Sequence, residues 1–292
     1  MSDLFCFGLG YSAMALARHL QAQGWRIAGT AREEAALAAA RTEGIEAIKF
    51  DGSGPSAAVA RRLASASHLL ISVPPGKHGD PVLNWHRADI AGSRSLQWTG
   101  YLSTVGVYGD HDGDWIDEDM PARPINERSQ WRLAAETAWR LLAGETGLPL
   151  AIFRLAGIYG PGRNQLRGVA EGKARRIIKP GQVFNRIHVE DIAAVLAASM
   201  ARPPEGVRIY NVCDDEPASP QEVIEYAAML LGVAPPPETA IDDPRVSAMA
   251  RSFYADNKRC RNARIRQELG IALRFPTYRE GLKALFAAGA PY

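Results

Sequence analysis

The sequence predicts an α/β fold: a doubly wound parallel sheet with helices on both faces and a small C-terminal lobe. Three observations predict it. Short apolar runs alternate with helical stretches through the first half of the chain. A glycine turn, GLGYSA at 8–13, separates the first run from the first helix. After residue 160 the alternation gives way to a Gly- and Arg-rich stretch and, later, to two further helices.

The elements follow in order. DLFCF (3–7) reads as a buried strand, and YSAMALARHLQAQG as a helix that Gly24 stops. WRIAGT (25–30) is a second strand, AREEAALAAARTEG a helix closed by glycine, and IEAIKF (45–50) a third strand. PSAAVARRLASA is a helix with proline in its first turn. HLLISV (68–73) is a fourth strand, ended by Pro74 and Pro75. Strands separated by helices of this length form right-handed βαβ units, hence a parallel sheet. LQWTGYLST (96–104), a helix around 127–146 and LPLAIFRL (148–155) continue the pattern. RIIK and QVFNRI are strand-like pieces, VEDIAAVLAASM is a helix, and VRIYNV (207–212) is a further strand of the sheet. SPQEVIEYAAMLLG and TYREGLKALFAAG are helices on either side of a proline-rich loop.

A chain of 292 residues accommodates one large α/β domain with a smaller lobe. Its 47% apolar and 23% charged residues are ordinary for a globular protein, and a net charge of +2 gives no reason to expect nucleic acid or a membrane as partner. The three cysteines, Cys6, Cys213 and Cys260, make no CxxC, which argues against disulfides and zinc and fits a reducing cytoplasm. MSDLFCFGLG lacks the pattern of a signal peptide, and no window reaches the roughly 20 apolar residues of a membrane span. The acidic DHDGDWIDEDMP (110–121) lacks the spacing and closing glutamate of a calcium loop, so no metal is expected.

GLGYSA fits G-x-G-x-x-A in the strand–turn–helix setting of a dinucleotide site. Gly8 permits the tight turn, Gly10 lets the backbone approach a pyrophosphate, and Ala13 keeps the helix near the sheet. The N–H groups of the turn, Tyr11 and Ser12 included, favour phosphate. Thr30 and Arg32 stand at the tip of the second strand, without an acid. Arg32 there favours NADP over NAD by pairing with a 2′-phosphate; the alternative is a surface arginine paired with Glu33 or Glu34. Asp51, ending the third strand, either accepts from the adenine amino group or caps a turn before Gly52. Ser72, Val73 and Pro74, ending the fourth strand, complete the cofactor side. The domain reading is therefore a Rossmann-type domain over 1–160, rejoined by 188–212, with a substrate-side lobe from 161–187 and 213–292.

Four segments carry a resemblance: STVGVYGD (103–110), RLAGIYGPG (154–162), RIHVEDIA (186–193) and YNVCDDEPAS (210–219). Together they resemble the extended short-chain dehydrogenase/reductase family, the NAD-dependent epimerases and dehydratases. The resemblance implies chemistry by a Ser/Thr, a Tyr and a Lys, with Thr104 at the first of these positions. The family's Tyr-x-x-x-Lys falls on RSQWRLAAE, where Arg128 and Arg132 stand instead, with Glu136 matching the family glutamate. A guanidinium stays protonated, so Arg128 is a poor proton donor or acceptor. Arg132 could still donate hydrogen bonds to the ribose. Tyr108 is the nearest substitute for the proton step, with Tyr159 and His188 behind it; the alternatives are packing for Tyr108 and a structural hydrogen bond for His188. Phe7 and Ala13 replace the family's outer turn glycines, which together with the arginines marks an atypical branch.

By the same resemblance, the segment from Arg163 to Arg186 borders the substrate cleft. It carries seven Lys and Arg against one acid, Glu171, and so suits an anionic or nucleotide-sugar-like compound; the alternative is a solvated basic face or a subunit contact. Phe184 stands where the family's diphosphate-binding arginine is expected. Tyr159, Arg186 and His188 are the candidate substrate contacts. Two functions stay open: an NADP-dependent reductase or epimerase on a small hydroxy or carbonyl compound, and a catalytically silent NADPH sensor or scaffold. A homodimer through two helices per subunit is common in the family.

Overall fold

In the computed structural model, which describes residues 2–290 and 292, Asp3–Phe7 is buried at every position and forms β1. The chain then alternates through α1 (Tyr11–Gln21), β2 (Arg26–Ala31), α2 (Glu34–Thr42), β3 (Glu46–Lys49), α3 (Ala57–Leu63), β4 (His68–Ile71), α4 (Pro81–Ala91) and β5 (Trp98–Thr104). A 3₁₀ turn at Val105–Tyr108, β6 (Trp115–Ile116), α5 (Glu127–Thr146) and β7 (Leu150–Leu155) follow. Next come β8 (Gly157–Tyr159), α6 (Gln165–Ala170), β9 (Arg176–Ile178), β10 (Arg186–His188), α7 (Val189–Ala201) and β11 (Val207–Val212). The C-terminal part holds α8 (Pro220–Leu231), β12 (Glu238–Ala240), α9 (Ala248–Phe253), β13 (Arg259–Cys260), α10 (Ala263–Leu269) and α11 (Tyr278–Ala288). None of the described helices is long and apolar enough to cross a membrane.

Seven parallel strands form one sheet in the order β11-β7-β5-β4-β1-β2-β3. The winding reverses between β1 and β4, and in such sheets ligands bind beyond the carboxyl ends of the strands at that point. Phe7 pairs with Ile71 there, so Gly8 and Ser72 leave the sheet side by side. Alternation along β1 sends Leu4 and Cys6 to one face, with α1, α7 and α10, and Phe5 and Phe7 to the other, with Trp139 of α5. Each large apolar side chain so buried contributes roughly 1.5–3 kcal/mol.

Beyond the sheet's C-terminal edge, β8 pairs with β10 and β9 with β12. A separate cluster there joins Leu166, Val223, Tyr278 and Leu282. Cys260, Ile265 and Leu269 pack in the main core, so residues 259–269 join the large domain and not the lobe. Pro55 precedes the first turn of α3, because Ser56 is the N-cap and accepts from the Val59 N–H at 3.3 Å. The sequence pattern missed α4, α6, α9 and α10. The start of α4 carries a local signal nonetheless, since Asp80 caps Val82 and Leu83 and Pro81 takes the first position.

Candidate functional site

Gly8 adopts φ +91, and a Cβ there would lie 2.9 Å from Val73 Cγ1, so only glycine fits this turn. Its N–H donates to Thr30 Oγ1 at 3.0 Å. Thr30, expected on the cofactor side at the strand tip, is buried, and its hydroxyl holds the glycine turn. Gly10 has φ −87, open to any residue, and a Cβ there would meet only Ser72 Oγ at 3.9 Å. Nothing in the chain's own packing requires glycine at 10; the space it leaves belongs to a cleft that Gly10, Tyr11, Ser12 and Ser72 line. No side chain caps α1 and no acid stands in its first turn, so its N-terminus keeps its full attraction for anions. These residues fit a dinucleotide diphosphate.

Other cofactor-side residues vary in their engagement. Tyr11 Oη donates to Pro161 O at 3.0 Å, and Arg163 lies over its ring at 5.9 Å, tying α1 to the loop after β8. Asp51 accepts from the hydroxyl and N–H of Ser53 at 2.6 and 2.9 Å, closing a turn, and these bonds hold its carboxyl below the usual range. Arg32 is exposed and makes no ion pair among the described residues, since Glu34 faces Lys49 at 3.8 Å. Val73 is half-buried beside Gly8, and Pro74 is exposed.

Across the cleft, Thr104 caps the 3₁₀ turn by accepting from the Gly106 N–H at 3.1 Å, leaving its hydroxyl hydrogen free to donate. Helix α5 starts at Asn126, whose side chain accepts from the Ser129 N–H at 3.0 Å. Arg128, Arg132 and Glu136 share one face, and that face meets three environments. Arg128 is exposed and lines the cleft. Arg132 lines it too, but its Nη1 donates to Leu102 O at 2.6 Å and to Tyr101 Oη at 3.3 Å. Glu136 is buried, paired with Arg154 of β7 at 2.7 Å and accepting from the Ser103 hydroxyl.

Two expected proton carriers lie elsewhere. Tyr108 is fully buried and donates to Asn211 Oδ1 at 2.8 Å, with the Arg154 guanidinium 4.6 Å from its ring centre. It is absent from the cleft wall, and burial pushes its phenol well up, so Tyr108 is a core residue and not a proton relay. His188 is buried and caps α7, its Nδ1 accepting from the Glu190 N–H at 3.2 Å. Burial, followed by the charge of Arg274, brings its pKa down to about 4. This corrects its expected place at the substrate, because His188 is a neutral cap behind the cleft. Tyr159 and Arg186 do line the cleft, and Tyr159 Oη donates to Thr277 O at 3.4 Å.

The cleft measures about 1160 Å³ and runs from the Gly10 turn past Thr104 to Arg186. Ordinary small-ligand clefts measure about 300–1,000 Å³. Sequence reasoning missed Ser129, Asn185, Lys258 and Tyr278 on its walls. Asn126 three residues before Ser129 is a helix-start signal that could have found the first. Lys258 is buried, donating to Gly109 O at 2.9 Å and Asp256 Oδ2 at 2.8 Å. No local pattern announces it, because Gly109 lies far along the chain and Asp256, two residues before it, stands in a loop.

Residues 83–213 match the model of the NAD dependent epimerase/dehydratase family. Protein YeeZ of Escherichia coli K12 is 30% identical over 251 residues, covering 81% of this chain and 86% of that protein. The chain belongs to the NAD-dependent epimerase/dehydratase family. A conserved protein of unknown function from Silicibacter pomeroyi has a solved structure similar to this one, with 52% identity, a TM-score of 0.91 and 99% of both chains covered. The dTDP-glucose 4,6-dehydratase of Bacillus anthracis, solved in complex with NAD, shares the family fold at 14% identity and a TM-score of 0.77, over 99% of this chain and 98% of that one.

Proposed function

We propose that this member of the epimerase/dehydratase family binds NADP at the β1–α1 turn and acts as an oxidoreductase or epimerase on a small anionic hydroxy or carbonyl compound. The observation that carries this reading is the continuity of the cleft: the uncapped helix start at Gly10, the Thr104 hydroxyl and the Arg186 side chain open into one space. When bound, the nicotinamide supplies hydride transfer. Thr104 donates a hydrogen bond to the substrate oxygen, its own lone pair being engaged by Gly106. Arg132 keeps further guanidinium N–H groups for the ribose hydroxyls. Water carries the proton, since both arginines of the α5 face stay protonated.

NADP is the preferred form in this reading because Arg32 is exposed beside the second strand and forms no ion pair among the described residues, Glu34 facing Lys49 instead. Isothermal titration tests the preference. NADPH should bind at least about tenfold tighter than NADH, roughly 1.4 kcal/mol, and equal affinities would remove NADP from the proposal.

One observation favours a second reading, a sensor or scaffold without turnover. Arg132 is tied to Leu102 O, and neither it nor Arg128 gives up a proton. The variant carrying Arg128→Tyr and Arg132→Lys decides between the two. If only the missing acid–base pair limits turnover, the variant gains NADPH oxidation with a panel of carbonyl compounds. No gain on any of them leaves the sensor ahead.

A further inference from the structure

Three cationic side chains, Arg154, Arg186 and Lys258, are buried among the described residues. Arg154 faces Glu136 and Lys258 faces Asp256, at 2.7 and 2.8 Å. Arg186, only 9% exposed, has no carboxylate in ion-pair contact among the described residues. Its Nη1 donates to Phe184 O at 2.9 Å and Ala218 O at 3.0 Å, which fixes the plane of the guanidinium. Its Nε and Nη2, the parallel pair on the opposite edge, donate to nothing described, and the side chain lines the cleft. The charge of Asp214 favours the cation from nearby, but no ion pair joins the two among the described residues, and the Asp214 Oδ2 has no partner. A buried cation with no carboxylate bonded to it is costly, so something outside the chain is expected to supply the anion.

The same wall holds a second orphan donor. Tyr278 is 1% exposed, its hydroxyl has no hydrogen-bond partner, and the Arg186 guanidinium carbon lies 5.9 Å from its ring centre. Burial raises this phenol to about 12, which keeps the donor hydrogen in place. We infer that Arg186 and Tyr278 seat a compact oxyanion of the substrate, a carboxylate or a phosphate monoester. Two of its oxygens meet the Nε–Nη2 edge and a further lone pair meets the phenol. This inference rests on the functional reading above and narrows the substrate class.

The test measures the melting temperature against inorganic phosphate and against malonate. It is run at constant ionic strength with saturating NADP⁺, so that the turn at Gly10 is already filled. A saturable rise is expected for the native chain. Arg186→Lys keeps the charge but not the two-pronged edge, and should bind the anion about tenfold more weakly. Tyr278→Phe removes one unpartnered oxygen and so disturbs no bond of the fold; it should weaken the anion about fivefold with NADP⁺ affinity unchanged. A stronger response to phosphate assigns a phosphate monoester, and a stronger response to malonate a carboxylate. No saturable rise with either anion, or native-like anion binding by Tyr278→Phe, overturns the inference. Failure of NADP⁺ itself to bind sinks the functional reading alone, because the same series without dinucleotide still judges the Arg186 seat.

Discussion

Gly8 and Gly10 look alike in the sequence and differ in what holds them. Gly8 sits at φ +91 against Val73, so Gly8→Ala should cost about 1–2 kcal/mol of stability. Gly10 has an ordinary φ and no close neighbour, so Gly10→Ala should leave the urea midpoint nearly unchanged while weakening NADPH. Loss of stability without loss of affinity in Gly10→Ala would contradict this assignment. His188 offers a pH test at the same scale. Its pKa is near 6.5 unfolded and about 4 folded, so the unfolded chain takes up a proton that the folded chain refuses. That stability is fully present above about pH 6.5 and is lost as pH falls towards 4. Asparagine also caps helices and does not titrate. The melting curves of the native chain and His188→Asn should therefore converge between pH 7 and pH 5, and curves that stay parallel would rule out the depressed pKa.

Helix α5 does several jobs along one stripe, and its inner end bears most of the structural load. Glu136 joins the helix to β7 through Arg154 and to β5 through Ser103, all three buried. Removing the carboxylate strands the Arg154 cation, so Glu136→Ala should lower unfolding free energy by about 3–5 kcal/mol in urea titration. A loss below about 1 kcal/mol would mean that Arg154 reaches water. One turn earlier, Arg132 is held to Leu102 O, and Arg128, another turn back, is the exposed member. The gradient follows from geometry. The face is continuous at i, i+4 spacing, but the helix enters the core only after its first turns.

At the scale of the molecule, the cleft exists because the sheet reverses its winding between β1 and β4. The second lobe then closes over that edge. β8 carries the chain out of the sheet immediately after β7, and β10 returns alongside it. Tyr11 reaches across to Pro161, so the start of α1 and the loop after β8 are tied by a direct hydrogen bond. Charge is distributed to match. Glu171 is engaged by Lys173 and Arg167, and these bonds lower its pKa to about 2, while Arg163 and Arg186 line the cleft without an ion pair among the described residues.

The strand–helix alternation, the glycine turn and the α5 stripe were all legible in the residues alone. They depend on local periodicity, on backbone freedom at Gly8 and on helix stops such as Gly24, all of which are written within a few residues. α4, α6, α9 and α10 were not legible: three are short, and α4 carries polar His86 on its buried face and apolar Trp85 on its exposed one. The packed fold was needed to show that Tyr108 and His188 belong to the core, that Thr30 holds the turn, and that Lys258 and Tyr278 reach the cleft. For Tyr108, His188, Thr30 and Lys258 the role is fixed by the partner each finds, and Asn211, Glu190, Gly8 and Gly109 are supplied by the fold, mostly from far along the chain, while Tyr278 is brought to the cleft by the packing of α11.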